Sequence, residues 1–138
     1  RSEARGVEAA AELHLGPVAL SGNYSWNLAE DRSAGSDNFG NWLNRRPRET
    51  ANLSAQYVTP FGLELGGALR WSGKSYNDAA NSMVLDDYTL VDVRAELPIA
   101  EKLRLFARVE NLFDAKYMTV YRYGSLDRSI YAGLRGRF

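Results

Sequence analysis

Apolar side chains in this chain occur singly and alternate with polar ones over stretches of about ten residues. In the clearest stretch, Val18, Leu20, Tyr24 and Trp26 alternate with alanine, serine and asparagine. Successive side chains of a β-strand point to opposite faces of its sheet, so a period of two predicts strands with one apolar and one polar face. No apolar run exceeds three residues, which excludes a membrane-spanning helix.

Seven stretches follow this pattern, and the connections between them alternate in length. The predicted strands cover residues 5–15, 18–28, 48–58, 63–72, 87–97, 103–113 and 128–138. Short turns at 16–17, 59–62 and 98–102 alternate with long polar stretches at 30–47, 73–86 and 114–127. Antiparallel pairing of neighbours then places all short turns at one end of the sheet and all long loops at the other. A transmembrane β-barrel has this arrangement as well as the two faces, whereas a soluble β-sandwich shares only the alternation.

Aromatic residues lie near the ends of the predicted strands, as in the aromatic girdles of membrane barrels. They are Trp26, Tyr57, Phe61, Trp71, Phe113 and Phe138. Seven strands is an odd number, whereas bacterial single-chain barrels have an even number, and an open sheet would leave unpaired edges in lipid. Either the strand count is wrong by one or this chain is a piece of a larger barrel, and we favour the piece. The fold prediction is an all-β antiparallel transmembrane barrel of which this chain is a part.

The composition excludes several classes of function. Lys and Arg number 17, as do Asp and Glu, so the net charge is zero and does not indicate a nucleic-acid partner. There is no cysteine and a single histidine, His14, so a thiolate or histidine metal site and a catalytic triad are not expected. The adjacent carboxylates Asp86 and Asp87 have no partner acid motif. We predict no catalytic residues, no metal site, no cofactor and no enzymatic activity.

A family resemblance is carried by the segment that ends the sixth predicted strand. This segment, Asn111-Leu112-Phe113-Asp114-Ala115-Lys116-Tyr117, resembles a motif of TonB-dependent outer-membrane receptors. Arg5-Gly6-Val7-Glu8 and Arg45-Arg46-Pro47 resemble segments that open other barrel strands in the same family, and the match extends over the whole chain. One departure is Asp127-Arg128, where members usually have a Gly-Arg pair. The stretch 117–123 is similar to cobalamin receptors and to catecholate-siderophore receptors, without choosing between them.

The resemblance implies that residues 1–138 are the last seven strands of a 22-stranded barrel. A plug domain and the TonB box that contacts the TonB complex are expected N-terminal to Arg1. The implied function is TonB-dependent uptake of a ferric siderophore or cobalamin across the bacterial outer membrane, with this chain supplying barrel wall and extracellular loops. Outer-membrane lipid and lipopolysaccharide would surround the barrel, and the C-terminus would lie on the periplasmic side. The alternatives are a small non-transporting outer-membrane barrel, structural or adhesive, and a soluble β-sandwich binding module.

Ligand contacts are predicted in the long loops, where aromatic rings lie beside amides and a cation. The candidates are Asn41, Trp42, Asn44, Tyr76, Tyr121, Arg122 and Tyr123. A tryptophan flanked by amides suits polar, ring-like solutes, and tyrosines beside an arginine suit an anionic ligand. Packing between loops is the alternative role for the same residues.

Two further sets of residues receive predicted roles on the strands. Alternating apolar residues before a terminal aromatic, namely Ile130, Ala132, Leu134 and Phe138, resemble the signal read by the barrel-assembly machinery, which would bind by strand addition. Charged residues on the polar faces are predicted to form cross-strand ion pairs. These are Asp92, Arg94, Glu96, Arg104, Arg108 and Glu110.

Overall fold

The computed structural model describes residues 1–136 and consists of strands, turns and loops. Residues 1–136 form nine strands. They are β1 (Ser2–Leu15), β2 (Val18–Asp31), β3 (Glu49–Val58), β4 (Glu64–Ser72), β5 (Ser75–Tyr76), β6 (Val84–Leu85), β7 (Tyr88–Ala100), β8 (Leu103–Glu110) and β9 (Ser129–Gly136). Within the described part of the chain, no helix has the length and apolar character needed to cross a membrane.

Seven of these strands form one antiparallel sheet in the order β1-β2-β3-β4-β7-β8-β9. Each strand pairs with its neighbour along the chain, apart from the separate two-residue hairpin β5-β6 inside one long connection. The seven predicted strands are confirmed, with ends that differ by a few residues. The sequence pattern missed β5 and β6, because strands of two residues are too short to show a period of two.

The register places most apolar residues of the seven strands on one face, with Leu90 and Phe106 among the exceptions. One row across the sheet, read from β1 to β9, is Leu13, Leu20, Ala55, Gly67, Val93, Val109 and Ile130. This face is uncovered, since Leu13, Leu53 and Leu134 are at least half exposed. A β-sandwich needs a second sheet packed about 10 Å away, and no such sheet covers this face among residues 1–136.

The two ends of the sheet differ as the sequence indicates. At one end, which we call the short-turn end, strands are joined through residues 16–17, 59–63 and 101–102. Gly62 in the middle turn has a φ of 87°, and a Cβ there would lie 3.0 Å from the Pro98 ring. Any other residue at this position would be strained both by the positive φ and by contact of its Cβ with Pro98.

Gly6, in the segment Arg5-Gly6-Val7-Glu8 that resembles the family, lies where β1 and β2 approach each other closely. It lies opposite Asn27 in the pairing of β1 with β2. A Cβ at this position would lie 2.5 Å from the backbone oxygen of Trp26, closer than side chains approach in real structures. Because that obstacle is backbone, a side chain at position 6 would have to push β1 away from β2.

Candidate functional site

Three long connections meet at the end of the sheet opposite the short turns. Loop 1 covers residues 32–48, loop 2 covers residues 73–87 and includes the β5-β6 hairpin, and loop 3 covers residues 111–128. We call these three segments together the loop crown. All seven predicted ligand residues lie in it.

Loop 1 folds back onto the edge of β2 beyond the point where β3 begins. Trp42 forms an antiparallel bridge with Glu30. The Asp31 N–H donates to the Asn41 carbonyl at 2.9 Å, and the Leu43 N–H donates to the Ala29 carbonyl at 2.8 Å. Residues 41–43 therefore extend the sheet by a short strand, and this pairing fixes the backbone of Trp42.

One asparagine of loop 2 holds the other side of the same short strand. Asn81 has a φ of 55°, a left-handed conformation that asparagine tolerates better than most residues. Its Oδ1 accepts from the Trp42 N–H at 2.7 Å, and its Nδ2 donates to the Trp42 carbonyl at 2.9 Å. A single amide side chain thus pairs with Trp42 in the way a neighbouring strand would, and it joins loop 1 to loop 2.

Four further hydrogen bonds bring the three loops together. The Asn41 amide donates to the Ala79 carbonyl at 3.0 Å, and the Asn44 amide donates to the Asn77 carbonyl at 3.5 Å. The Arg45 N–H donates to the Tyr76 carbonyl at 2.6 Å. The Tyr121 N–H donates to Oδ1 of Asn77 at 3.1 Å, which adds loop 3.

The tip of loop 2 is built around one carboxylate. Oδ1 of Asp78 accepts from the Met83 N–H at 2.8 Å, and Oδ2 accepts from the Ser82 hydroxyl at 2.8 Å. The Met83 N–H, with the donors of Ser82, holds the pKa of Asp78 below its usual value. The tip therefore depends on an ionised Asp78.

The start of loop 3 explains the asparagine of the family motif. Asn111 is buried and has a φ of 50°. Its Nδ2 donates to the carbonyls of Ala115 and Leu126 at 3.0 and 3.1 Å, and its Oδ1 accepts from the Ala115 N–H at 2.8 Å. Its own N–H donates to Asp92 of β7 at 2.9 Å. One side chain thus holds both ends of loop 3 against the sheet.

Asp114 of the same motif closes loop 3 from its other side. Its Oδ1 accepts from the Arg128 N–H at 2.9 Å, and Oδ2 lies 3.1 Å from the Lys116 ammonium. The Arg128 N–H and the Lys116 ammonium lower the pKa of Asp114. Hydrogen bonds to the carboxylate of Asp127 and, to a smaller extent, to that of Asp114 raise the pKa of Lys116. Tyr117, the last residue of the motif, stacks on Tyr88 with 4.3 Å between ring centroids.

The predicted ligand residues divide into two groups in the structure. Trp42 and Tyr76 meet edge to face with 5.3 Å between ring centroids, and the amides of Asn41 and Asn44 are engaged between loops. These four residues have contacts that fit the packing role. Tyr121, Arg122 and Tyr123 are exposed, with the Arg122 guanidinium 5.4 Å from the Tyr121 ring centroid. Only this second group projects aromatic surface and charge to solvent.

Two residues that the sequence did not single out prove central to the crown. Asn81 joins loops 1 and 2 as described above, and the Arg48 guanidinium carbon lies 3.6 Å from the Trp42 ring centroid. Neither belongs to a periodic pattern, and Trp42, the partner of both, lies 39 residues from Asn81 and six residues from Arg48. The one available signal was a group of three arginines at positions 45, 46 and 48.

The polar face of the sheet carries the predicted cross-strand ion pairs. Arg104 of β8 lies 2.7 Å from Glu64 of β4 and 3.1 Å from Glu96 of β7, and Glu96 also pairs with Arg135 of β9 at 2.9 Å. Four strands are thus linked near the short-turn end.

The other charges of this face are paired less uniformly. Asp92 pairs with Arg70 across β4 and β7 at 3.0 Å, as predicted. Arg108 pairs with Glu110 of its own strand at 3.5 Å, so this pair is not cross-strand. Among residues 1–136, no carboxylate lies within 4.0 Å of Arg94, which lies across Gly66 on the neighbouring strand. The prediction is therefore confirmed for three of the six residues, Asp92, Glu96 and Arg104.

The predicted assembly signal lies on the edge strand β9. Ile130, Ala132 and Leu134 face the same side as the apolar residues of β8, and all three are exposed. Phe138, the fourth residue of that prediction, lies outside the described residues.

The fold and the motif contacts agree with a known family. Residues 1–112 match the family described as "TonB dependent receptor-like, beta-barrel". The chain belongs to this family. Its apolar face is therefore the lipid face of a bacterial outer-membrane β-barrel, and the chain is part of a receptor and not of an enzyme. The predicted fold class is confirmed in that the sheet matches the C-terminal portion of TonB-dependent receptor barrels.

Individual family members are similar over nearly the whole chain. A vitamin B12 transporter from Photobacterium profundum is 31% identical over 99% of this chain, and a ferrioxamine receptor from Yersinia enterocolitica is 31% identical over 93%. The siderophore receptor PiuA from Acinetobacter baumannii has the same fold, with a TM-score of 0.86 at 23% identity over 98% of this chain and 22% of its own. The chain spans about one fifth of the two curated relatives, 22% and 20% of their lengths.

Proposed function

We propose that this chain is the wall and loop portion of a receptor that takes up a ferric siderophore or cobalamin across the outer membrane, driven by TonB. Support comes from the family match and from relatives named as a vitamin B12 transporter and a ferrioxamine receptor. Those names describe the ligands of those proteins, and the crown of this chain has features that fit either class.

The observation that carries the proposal is the joining of three loops at one end of a membrane wall. Asn81 and Asn77 connect the loops by accepting hydrogen bonds from the N–H groups of Trp42 and Tyr121. The aromatic rings of Tyr121 and Tyr123 remain 41% and 71% exposed. A fixed group of loops with exposed rings costs little ordering entropy when a ligand binds. In this proposal the seven predicted residues bind the ligand, Tyr121, Arg122 and Tyr123 directly and the other four as the base that positions them.

In this proposal the rest of the receptor is that expected for the family. The barrel has 22 strands, this chain forms the last seven, and the plug domain with its TonB box precedes Arg1. Long loops of outer-membrane barrels are extracellular and short turns are periplasmic. Because β9 runs from loop 3 towards the short-turn end, the C-terminus lies on the periplasmic side. Lipid and lipopolysaccharide contact the apolar face, and the plug faces the ion-paired polar face.

Assembly into the membrane would use the end of the same strand. Ile130, Ala132 and Leu134 form an exposed apolar row on an edge strand, which suits recognition by strand addition. In this proposal they act together with Phe138 as the signal for the barrel-assembly machinery.

The test uses the whole receptor in its bacterial host. Radiolabelled ferric siderophores and cyanocobalamin are supplied to cells with and without the receptor, and in each case with and without TonB. We expect uptake of one ligand class to require both proteins. The double substitution Tyr121→Ala and Tyr123→Ala should weaken binding of that ligand about tenfold or more while the receptor still assembles. The pair Phe39→Ala and Leu126→Ala, also exposed in the loop crown, serves as the control.

Uptake that persists without TonB, or no uptake of any chelate or corrinoid, would contradict the proposal. A protein that assembles in the membrane and transports nothing would instead support the small non-transporting barrel. Equal losses from the two double substitutions would argue against the assigned ligand residues only.

A further inference from the structure

Arg48 is a partly buried cation that has no carboxylate partner among residues 1–136. It lies at the end of loop 1, immediately before β3, and its guanidinium carbon is 3.6 Å from the Trp42 ring centroid. Its Nε atom is buried and has no hydrogen-bond acceptor within residues 1–136. No carboxylate of the described chain lies within 4.0 Å of its guanidinium nitrogens. The contrast is Arg32 of the same loop, which is paired with Glu30 at 2.6 Å.

The surroundings of Arg48 are rich in positive charge. Residues 32–48 contain four arginines and one acidic residue, Asp37. Arg45 and Arg46 precede Arg48 closely, are exposed and, across the described residues, also have no carboxylate within 4.0 Å. In loop 3, Arg122 contacts the Tyr121 ring and has no ion pair within that same part of the chain. The loop crown therefore holds several cations that its own carboxylates do not neutralise.

The stacking on Trp42 fixes the guanidinium of Arg48 in one orientation. Trp42 is itself immobilised, since its backbone is bonded between β2 and Asn81 and its ring meets Tyr76. Burying a polar N–H without an acceptor is unfavourable. Contact with an aromatic ring leaves the terminal N–H groups of a guanidinium free to donate to the oxygens of a carboxylate, a phosphate or a deprotonated catechol. Such a group would compensate the charge that the described chain leaves uncompensated.

We propose that Arg48, oriented by Trp42, is an anion-binding residue of the loop crown, and that the ligand is a negatively charged metal chelate. This inference rests on the proposed function and narrows its ligand class. Cobalamin carries one phosphodiester, whereas a ferric tris-catecholate carries several negative charges on its oxygens. The number of uncompensated arginines favours the second kind of ligand.

The test measures binding of three probes to the purified whole receptor in detergent. The probes are a ferric tris-catecholate, which is anionic, a neutral ferric trihydroxamate, and cyanocobalamin. We expect the wild-type receptor to bind the tris-catecholate tightest, and more weakly as salt is raised. Arg48→Gln should weaken that binding about 10- to 100-fold, as expected for loss of a charge-assisted hydrogen bond. Arg48→Lys should retain part of the affinity, because it keeps the charge and loses the planar fork.

Arg32→Gln is the matched control, since it removes a cation of the same loop that already has a carboxylate partner. It should change the binding of all three probes less than threefold. A heat-dependent gel mobility shift reports on every variant whether the barrel is closed.

The outcomes separate this inference from the proposed function. Wild-type binding of cyanocobalamin alone, or undiminished tris-catecholate binding by Arg48→Gln, would overturn the anion site and leave the transport function intact. Loss of barrel closure in both Arg48 variants would also overturn it and assign Arg48 to loop packing. Failure of the wild-type receptor to bind any of the three probes would contradict both proposals.

Discussion

The strand wall and the loop crown are held together in different ways. In the wall, each residue contributes one pairing among many equivalent ones, and whole rows such as Leu13 to Ile130 repeat the same contact. In the loop crown, three side chains, Asp78, Asn81 and Asn111, each bond two or more backbone groups. A fourth, Asp114, bonds the Arg128 N–H and the Lys116 ammonium. The wall is therefore redundant, whereas the loop crown depends on single residues.

Backbone conformation differs between the two regions as well. Asn81, Asn111 and Asp114 all have positive φ values, of 55°, 50° and 54°, and all three lie in the loop crown. Asparagine and aspartate tolerate this region because their short side chains bond local backbone groups. The same residues thus supply both the chain reversal and the bonds that hold it. Substitution of these three residues should therefore open the loop crown and leave the strand wall intact.

A charged side chain on the lipid face should cause the largest loss of stability. It tests whether the strand wall tolerates a single substitution of this kind. Leu53 lies midway along β3 on the apolar face. Leu53→Arg should destabilise the receptor by about 2–4 kcal/mol, because the guanidinium would have to enter the hydrocarbon layer. The free energy of unfolding is measured by titrating the receptor with guanidinium chloride in lipid vesicles.

Ser54→Arg on the polar face of the same strand is the control, with an expected change of about 0.5 kcal/mol or less. Equal effects of the two substitutions would contradict the assignment of the lipid face.

In the loop crown, Asn111→Ala should release loop 3 without unfolding the wall. It removes three hydrogen bonds of a buried side chain and leaves alanine at a positive φ, which together cost about 3 kcal/mol. Cleavage of residues 111–128 by a protease should become about 100-fold faster.

Asn111→Gly separates the two causes, because glycine accepts the positive φ and still lacks the hydrogen bonds. If glycine restored full resistance to the protease, strain alone and not the bonding network would hold loop 3.

Asn81→Ala tests the junction between loops 1 and 2. It removes the acceptor of the Trp42 N–H, so exchange of that amide hydrogen should become about 10- to 30-fold faster, equivalent to about 1–2 kcal/mol. The Leu43 amide, which bonds Ala29 of β2, provides the internal control.

If the Leu43 amide also lost its protection, loop 1 would depend on Asn81 even for its contact with β2. An unchanged rate at Trp42 would contradict the role of Asn81.

The smallest expected effect is a pH dependence of the loop 2 tip. Asp78 has a lowered pKa because it accepts hydrogen bonds from Met83 and Ser82. A carboxyl with a lowered pKa contributes its full stability above the ordinary value of about 3.9, and this contribution is lost as the pH falls through its own lower pKa. Exchange of the Met83 amide, corrected for intrinsic rates, should therefore accelerate only in strongly acidic solution.

Asp78→Asn should remove this pH dependence and leave the wall unchanged. A tip that opened in the wild type already at neutral pH would show that another group controls it.

Sequence reasoning succeeded where the structure is periodic. Strands from β1 to β9 of the main sheet, their faces and the alternation of short and long connections all follow from a period of two that extends over many residues. It failed for β5 and β6, which are too short to show a period. It also failed for Asn81 and Arg48, whose partner is Trp42, 39 and six residues away respectively in the chain. The partner of a single asparagine or arginine depends on how loops cross in space.

The sequence alone determined the wall, its apolar and polar faces, the two unlike ends of the sheet and the family. These properties depend on which side chains face lipid and which face water, and the alternation of apolar and polar residues along each strand shows this directly. Only the tertiary structure decided that the amides of Asn41 and Asn44 bond between loops and that Tyr121 and Tyr123 remain exposed. It also decided that Arg48 lies on Trp42 with no carboxylate beside it in the described part of the chain. Such contacts arise between residues far apart in sequence, and their energies depend on distances that no local pattern contains.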